Sequence, residues 1–225
     1  RRVLFRSHIS PGGEIPPDSP AGAYLQSLGV TPEKFNSYVG QRGNHHVLMR
    51  GAYANVRIHN RLASGREGWW TKLQPSGERM SVFDAAFFYH QKGVPLIVMG
   101  GENFGAGSSR DWAAKGPLLL GVGAVLARSF ERIHRSNLIG VGILPLVFDD
   151  GAAMEDYGLD GTEEYFLRGV QAALDTGAPI EVEAKTRAED IIIFPVRIDC
   201  RSPAEAELLR AGGVYRAALR RYADQ

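Results

Sequence analysis

The spacing of apolar and polar residues predicts an irregular start followed by a short helix. Residues 8–20 contain four prolines and two adjacent glycines, a composition typical of a loop. Ser19 and Pro20 then provide an N-cap and a first helical residue, and Gly29 ends the predicted helix. Residues 52–58 are a candidate strand, and a hairpin is predicted to turn at residues 75–77.

The centre of the chain has the pattern of alternating strands and helices. Ser81 and Asp84 are spaced as a capping box before a helix that ends at Gly93. Three apolar, β-branched runs follow and predict buried strands: "VPLIVMGG", "AVLARSF" and "GILPLVF". A helix starting near Ser109 and a shorter one within "ERIHRSNLIGVG" separate these strands. This order predicts a buried sheet with crossover helices on one side.

The C-terminal part has strict alternation, which is typical of half-exposed strands. "PIEVEAK" alternates apolar with charged residues, and "DIIIFPVRI" predicts a second strand that Pro195 assigns to an edge or bulge. Ser202 and Pro203 begin the last helical section, which breaks at Gly212-Gly213 and continues to about Tyr222. The whole pattern predicts one α/β domain with a peripheral N-terminal arm.

Composition narrows the class of protein. The 225 residues are 44% hydrophobic and 23% charged, with a net charge of +1, as in ordinary globular proteins without a bulk attraction to nucleic acid or membranes. No apolar run approaches the roughly 18 residues that span a bilayer. The single cysteine, Cys200, excludes a disulfide framework and a cysteine-held metal cluster made by this chain alone. A reducing, cytoplasmic location is therefore expected.

The N-terminus differs from the rest. "RRVLFRS" carries three arginines without a signal-peptide pattern, and the residues after it read like the interior of a protein. We therefore expect residues 1–7 to be a non-native or upstream remnant and residues 8–225 to be a C-terminal fragment of a longer protein.

The loop "ENFGAGSSRDWAAKG" combines glycines, two serines and an arginine between a strand and a helix. Unpaired N–H groups at a helix start favour an anion, and glycines allow a ligand close to the backbone. Arg110 adds a fork suited to a carboxylate or phosphate, and Ser108 or Ser109 could act as a base or nucleophile. The competing interpretation is a simple N-cap. Nucleotide-binding and hydrolase glycine motifs do not occur here.

Other polar residues carry weaker signals. Arg42 stands in a glycine-flanked turn and is a second candidate carboxylate ligand. The pattern of His45-His46 is a poor metal site, and His134 is better explained as a capping or supporting group than as a ligand. Arg128, Arg132 and Arg135 are interpreted as a solvated face.

Four segments together resemble one known family: "HISPGGEIPPDSPAGAYLQSLGV", "FNSYVGQRGNHHVLMRGAYANVRI", the block from "PLIVMGGENFGAGSSRDWAAKG" through "ERIHRSNLIGVGILPL", and "GGVYRAALRRY". They are similar to the C-terminal swivel domain of aconitases, in particular the aconitase A and iron-regulatory-protein branch. The resemblance is strong over residues 8–150. It implies a three-layer β/β/α swivelling domain.

The resemblance also implies a function and residue roles. The family interconverts citrate and isocitrate through cis-aconitate, a step of the tricarboxylic acid cycle. Ser108 matches the family's catalytic base. Ser10, Arg42, Ser109 and Arg110 match positions that bind the tricarboxylate substrate. The family's 4Fe–4S cluster is held by a larger N-terminal body, so this chain alone is expected to bind no cluster and to be inactive.

The sequence departs from the family at one active-site position and leaves alternatives open. Ser7 stands where the family has an aspartate, within the suspected remnant. A 2-methylcitrate or homocitrate dehydratase domain, a small subunit of an isopropylmalate-type isomerase, an RNA-binding regulator and a bare anion- or nucleotide-binding module remain as rivals. The near-neutral charge makes RNA a weak candidate partner.

Overall fold

The computed structural model describes residues 9–108 and 111–223. An N-terminal arm comes first, with helix α1 (Pro20–Ser27), a 3₁₀ turn (Pro32–Lys34) and helix α2 (His45–Gly51). The Ser19 hydroxyl accepts a hydrogen bond from the Gly22 N–H at 3.1 Å, which confirms the predicted cap. The arm has a small core of its own, in which Leu25, Phe35 and Val47 are buried.

The strand predicted at residues 52–58 is wrong. These residues form turns, and Tyr53 has a positive φ of 57°. Ala52, Tyr53 and Ala54 are buried in succession, whereas a half-buried strand would alternate. The Tyr53 N–H donates to the Ile9 carbonyl at 2.9 Å, so this segment holds the start of the chain against the domain.

The predicted hairpin and the helix after it are confirmed. Strands β1 (Trp70–Lys72) and β2 (Arg79–Ser81) pair antiparallel, and helix α3 (Val82–Gln91) follows directly. The Ser81 hydroxyl accepts from the Asp84 N–H at 2.9 Å and donates to the Asp84 carboxylate at 2.6 Å. The two side chains therefore cap the helix together, as their spacing predicted.

The main sheet contains β3 (Leu96–Gly100), β4 (Val122–Ala127), β5 (Leu144–Phe148), β6 (Glu164–Leu167), β7 (Ile180–Lys185) and β8 (Ile191–Ile198). Its strand order is β3-β4-β5-β8-β7-β6. The first three strands are parallel and the remaining pairings are antiparallel. Helices α4 (Trp112–Leu119) and α5 (Arg132–Val141) are the predicted crossovers between the parallel strands.

Both faces of this sheet are covered. Val125 and Ala127 of β4 pack with α4 and α5, while Ala124 and Leu126 belong to a second cluster with members from all six strands. The sheet curls around that second cluster until the Tyr165 hydroxyl of β6 lies 3.7 Å from the Met99 sulfur of β3. Two β layers and one helical layer result, which confirms the predicted β/β/α architecture.

Details of the sheet differ from the sequence predictions. Strand β3 lies at an edge and is only partly buried, although its continuous apolar run predicted a buried strand. Conversely, Pro195 lies in β8 between β5 and β7, not on an edge. Strand β5 pairs with β8 only from Val196 onward, and Pro195 is the residue before Val196. No residue of β5 therefore requires an N–H from the proline. Strand β6 and helix α6 (Val170–Thr176) were not predicted.

The C-terminal helices α7 (Pro203–Ala211) and α8 (Val214–Ala223) follow the predicted boundaries. Among the described residues, no helix is both long and apolar enough to cross a bilayer.

Arg135 corrects the prediction of a solvated arginine face. Its side chain is only 5% exposed and forms two hydrogen bonds with the Glu205 carboxylate, at 2.9 and 2.7 Å. A third bond, of 2.8 Å, reaches the Asp199 carbonyl. These hydrogen bonds from Arg135 lower the pKa of the Glu205 carboxyl. The pair therefore ties α5 to α7 beneath the surface.

We expect Arg135→Met to lower the free energy of unfolding by about 1–3 kcal/mol, because the half-buried Glu205 carboxylate loses its guanidinium donor and keeps only the Arg201 N–H among its described hydrogen-bond donors. Urea denaturation measures this loss. Arg168→Met is the matched control, since Arg168 is 74% exposed in its pair with Glu183 and should cost less than about 1 kcal/mol. Equal losses in the two variants would contradict the structural role of Arg135.

Candidate functional site

The loop after β3 is held by the segment that precedes α5. The Phe104 N–H donates to the Ser129 carbonyl and the Asn103 N–H to the Ser129 hydroxyl, each at 2.8 Å. In return the Glu131 N–H donates to the Phe104 carbonyl at 2.9 Å. The loop at residues 102–108 and the segment at residues 129–131 therefore form two walls of one site.

Ser108 lies at the end of this loop and is half-buried. Its Oγ accepts a hydrogen bond from the Ile9 N–H at 3.0 Å, and its own N–H donates to the Gly105 carbonyl at 3.2 Å. Ser10, the next residue after Ile9, is buried with 6% of its surface exposed. The structure therefore brings the chain segments of two predicted site residues, Ser10 and Ser108, together.

Arg42 forms no hydrogen bond with either serine in the described part of the chain. It is exposed in the turn before α2, and its side chain forms no hydrogen bond or ion pair within the described part of the chain. The arm that carries it packs against the start of α4, where Trp112 contacts the arm's core. The turn is thus attached to the helix that follows the serine loop.

Two further predicted site residues, Ser109 and Arg110, lie outside the described residues, as does Ser7. Helix α4 begins at Trp112, a few residues later than predicted. Its N-cap residue, Asp111, makes no capping hydrogen bond to the helix. The first N–H groups of α4 are therefore not occupied by that side chain, which leaves them suited to an anion.

A buried histidine lies against the serine loop, and the sequence had already favoured a capping or supporting role for it over that of a ligand. His134, in the first turn of α5, is 3% exposed. Gly105 lies so close to its ring that a Cβ on Gly105 would be 2.2 Å from the His134 Cγ. Gly105 also has a φ of +89°, a conformation that L side chains rarely adopt. The sequence showed the glycine but gave no sign of the ring beneath it.

Burial sets the protonation of this pair of side chains. It lowers the pKa of His134 from 6.5 to about 4, with partial opposition from the nearby Glu131 carboxylate. For Glu131 burial raises the pKa, but hydrogen bonds from the Ile133 and His134 N–H groups, with the charges of His134 and Arg132, outweigh it and lower the pKa overall. At neutral pH the site therefore contains an uncharged imidazole and a carboxylate.

An open pocket of about 260 Å³ lies between residues 105–108, Ala113 and the first turn of α5. A larger, mostly apolar cavity of about 1380 Å³ lies between α3 and the β3 and β6 edges, and Ser108 does not line it. The small pocket is the candidate site, because Ser108, whose hydroxyl accepts a hydrogen bond from a backbone N–H, lines it. Within the described residues no group of three or more His, Cys, Asp or Glu side chains could hold a metal ion.

Comparison with known proteins identifies relatives of the chain. The family model for the aconitase C-terminal domain matches residues 21–151. Aconitate hydratase A of Pseudomonas aeruginosa is 48% identical over 215 residues, which cover 95% of this chain and 23% of the relative. The Salmonella typhimurium enzyme of the same name is 55% identical over 201 residues, or 89% and 22% of the two chains. The chain thus spans about a quarter of the length of these relatives.

A solved structure of 3-isopropylmalate dehydratase from Methanocaldococcus jannaschii is 24% identical. It covers 68% of this chain and 85% of its own, with a TM-score of 0.39, which is too low to support a functional conclusion.

The pKa of His134 predicts a pH-dependent stability. An imidazole that titrates near 6.5 when unfolded and near 4 when folded favours unfolding as it gains a proton. Relative to His134→Leu, the wild type should therefore lose up to about 3 kcal/mol of stability as the pH falls from 6.5 to 4. Urea denaturation of both proteins across this range measures the difference. Parallel pH curves for the two proteins would contradict it.

Proposed function

Because the chain belongs to the family of aconitase C-terminal domains, we propose that it is the substrate-binding and base-bearing domain of an aconitate hydratase. The complete enzyme would interconvert citrate and isocitrate through cis-aconitate by removing and returning the elements of water. The part of the reaction assigned to this chain is the transfer of the proton. The cluster-bearing remainder of the enzyme would be its partner.

One observation carries this proposal: the hydrogen bond from the Ile9 N–H to the Ser108 Oγ. A serine hydroxyl is a poor base, and it becomes a useful one only when its deprotonated form is stabilised. A backbone N–H aimed at the oxygen supplies such stabilisation at a fixed distance. The N–H groups at the start of α4, which the Asp111 side chain does not cap, add positive potential in the same region.

The family resemblance supports a role for each site residue. Ser108 would take the proton from the substrate carbon next to a carboxylate and later return one to the double bond. Ser10, Arg42, Ser109 and Arg110 would bind the carboxylates of the substrate. Two guanidinium groups and a helix start suit an anion with three carboxylates, because each can hold one group and fix the orientation of the reacting carbon.

The family's 4Fe–4S cluster does not fit the residues described here. Cys200 is the chain's single cysteine, and the described residues contain no group of three or more candidate metal ligands. We therefore assign the cluster ligands to the remainder of the enzyme and derive no step through the cluster. A cytoplasmic location and the limits of the domain, residues 8–225, are parts of the same proposal.

The test is a chimera in which residues 8–225 of this chain replace the matching C-terminal part of the Pseudomonas aeruginosa relative, so that the suspected remnant with Ser7 is left out. Formation of cis-aconitate from citrate is followed by ultraviolet absorbance. We expect the chimera to turn over citrate and Ser108→Ala to lower kcat by about 10²–10⁴-fold, the usual value of a positioned base. Ser136→Ala is the matched control, because within the described residues its hydroxyl hydrogen-bonds to the Arg132 carbonyl of α5 and does not line the pocket of Ser108.

Full activity of the Ser108→Ala chimera would refute the assignment of the base. A folded chimera that is inactive on citrate but active on another hydroxyacid would preserve the base and change the substrate. Binding of a hairpin RNA at low salt would favour the RNA-binding alternative instead.

In the same chimera we expect Arg42→Lys to raise the KM for citrate by about tenfold or more, since lysine cannot form the two parallel hydrogen bonds of a guanidinium with a carboxylate. Arg57→Lys, another exposed arginine of the same region, is the control. Steady-state kinetics measure the KM for citrate of the two variants. An unchanged KM would remove Arg42 from the substrate site.

A further inference from the structure

We propose that His134 is a positioning residue that sets the place of Ser108 through Gly105. The ring of His134 contacts Gly105, and the Gly105 carbonyl accepts the hydrogen bond from the Ser108 N–H. One contact and one hydrogen bond therefore connect the first turn of α5 to the proposed base. The effect of this connection on turnover rests on the proposed function, whereas its effect on the loop does not.

The contact leaves little freedom on either side. The ring is fixed by its neighbours Phe104 and Phe130, with ring centroids 5.5 and 6.4 Å away. Its backbone is fixed as well, because the His134 N–H donates to the Glu131 carboxylate at 2.8 Å. Gly105 has no side chain that could yield, and a methyl group there would overlap the ring. A shift of the ring must therefore move the loop.

The chemistry of the side chain argues that it does more than fill space. Within the described residues, both ring nitrogens are buried without a hydrogen-bond partner. An unpaired buried polar group lowers the stability of the fold, and an aliphatic side chain would avoid this cost. What the imidazole offers is a small planar face against Gly105, between two phenyl rings. Its protonated form would place a charge in this apolar contact, with Glu131 as the nearest opposite charge.

The experiment compares His134→Ala with Leu138→Ala, one turn further along α5. Both side chains are buried, but only His134 lines the pocket of Ser108. In the 225-residue chain, amide hydrogen exchange is measured at Ser108 and in β4. We expect His134→Ala to speed amide exchange at Ser108 by about tenfold or more with little change in β4, because the hydrogen bond from the Ser108 N–H to the Gly105 carbonyl is loosened. Leu138→Ala should not single out Ser108.

In the chimera, we expect His134→Ala to lower kcat by about 10–100-fold with less than about a threefold change in KM, as a misplaced base would. Leu138→Ala should lower the thermal stability without this loss of kcat below its unfolding temperature. Added imidazole should restore part of the kcat of His134→Ala by filling the space left by the ring. Gly105→Ala should lower kcat as well, by pushing the loop away from the same ring.

Equal kcat losses in His134→Ala and Leu138→Ala, or unchanged exchange at Ser108, would overturn the proposal. Hydrogen exchange and chimera kinetics also separate the positioning role of His134 from the role of Ser108 as the base. Faster exchange at Ser108 together with a Ser108→Ala chimera of full activity would support the positioning contact and refute the role of Ser108 as the base.

Discussion

The close approach of chain segments that are far apart in sequence is the constraint on which the site depends. The hydrogen bond between Ile9 and Ser108 joins residues 99 positions apart. Ile9 is itself held by Tyr53, whose N–H donates to the Ile9 carbonyl. A backbone N–H that is fixed on both sides can stabilise charge on an oxygen without reorganising, which a mobile or solvated donor cannot do.

The sheet provides the rigid frame for that approach. Parallel strands β3 and β4 end at the same edge, and the loop after β3 meets the segment after β4 there. The hydrogen bonds of Ser129 and Glu131 fix the loop up to Phe104, and the contact with His134 fixes the turn beyond it. The ion pair of Arg135 and Glu205 anchors α5 to α7 on the far side. The start of α5, which lies against the serine loop, is thus held in place by buried interactions.

Local sequence signals were reliable wherever a local rule decides the structure. The caps at Ser19, Ser81 and Ser202 depend on residues three positions away, and all three form as predicted. Strand and helix order followed from apolar periodicity in the same way. The strand predicted at residues 52–58 was wrong because the apolar side chains of this segment contact residues far away in the sequence. The edge position predicted from Pro195 was wrong because the residues around a proline do not encode the order of strands in the sheet.

The sequence by itself determined the family, the order of the central strands and helices, and the serine loop as the candidate site, since composition, spacing and a long specific resemblance carry that information. Only the tertiary structure decided which groups surround Ser108. The N–H of Ile9 is a backbone atom that any residue would supply, so no motif could reveal it. The burial of His134 and the tight contact at Gly105 depend on the packing of α5 against the loop. Protonation and close contact are properties of an environment, and an environment exists only once the chain has folded.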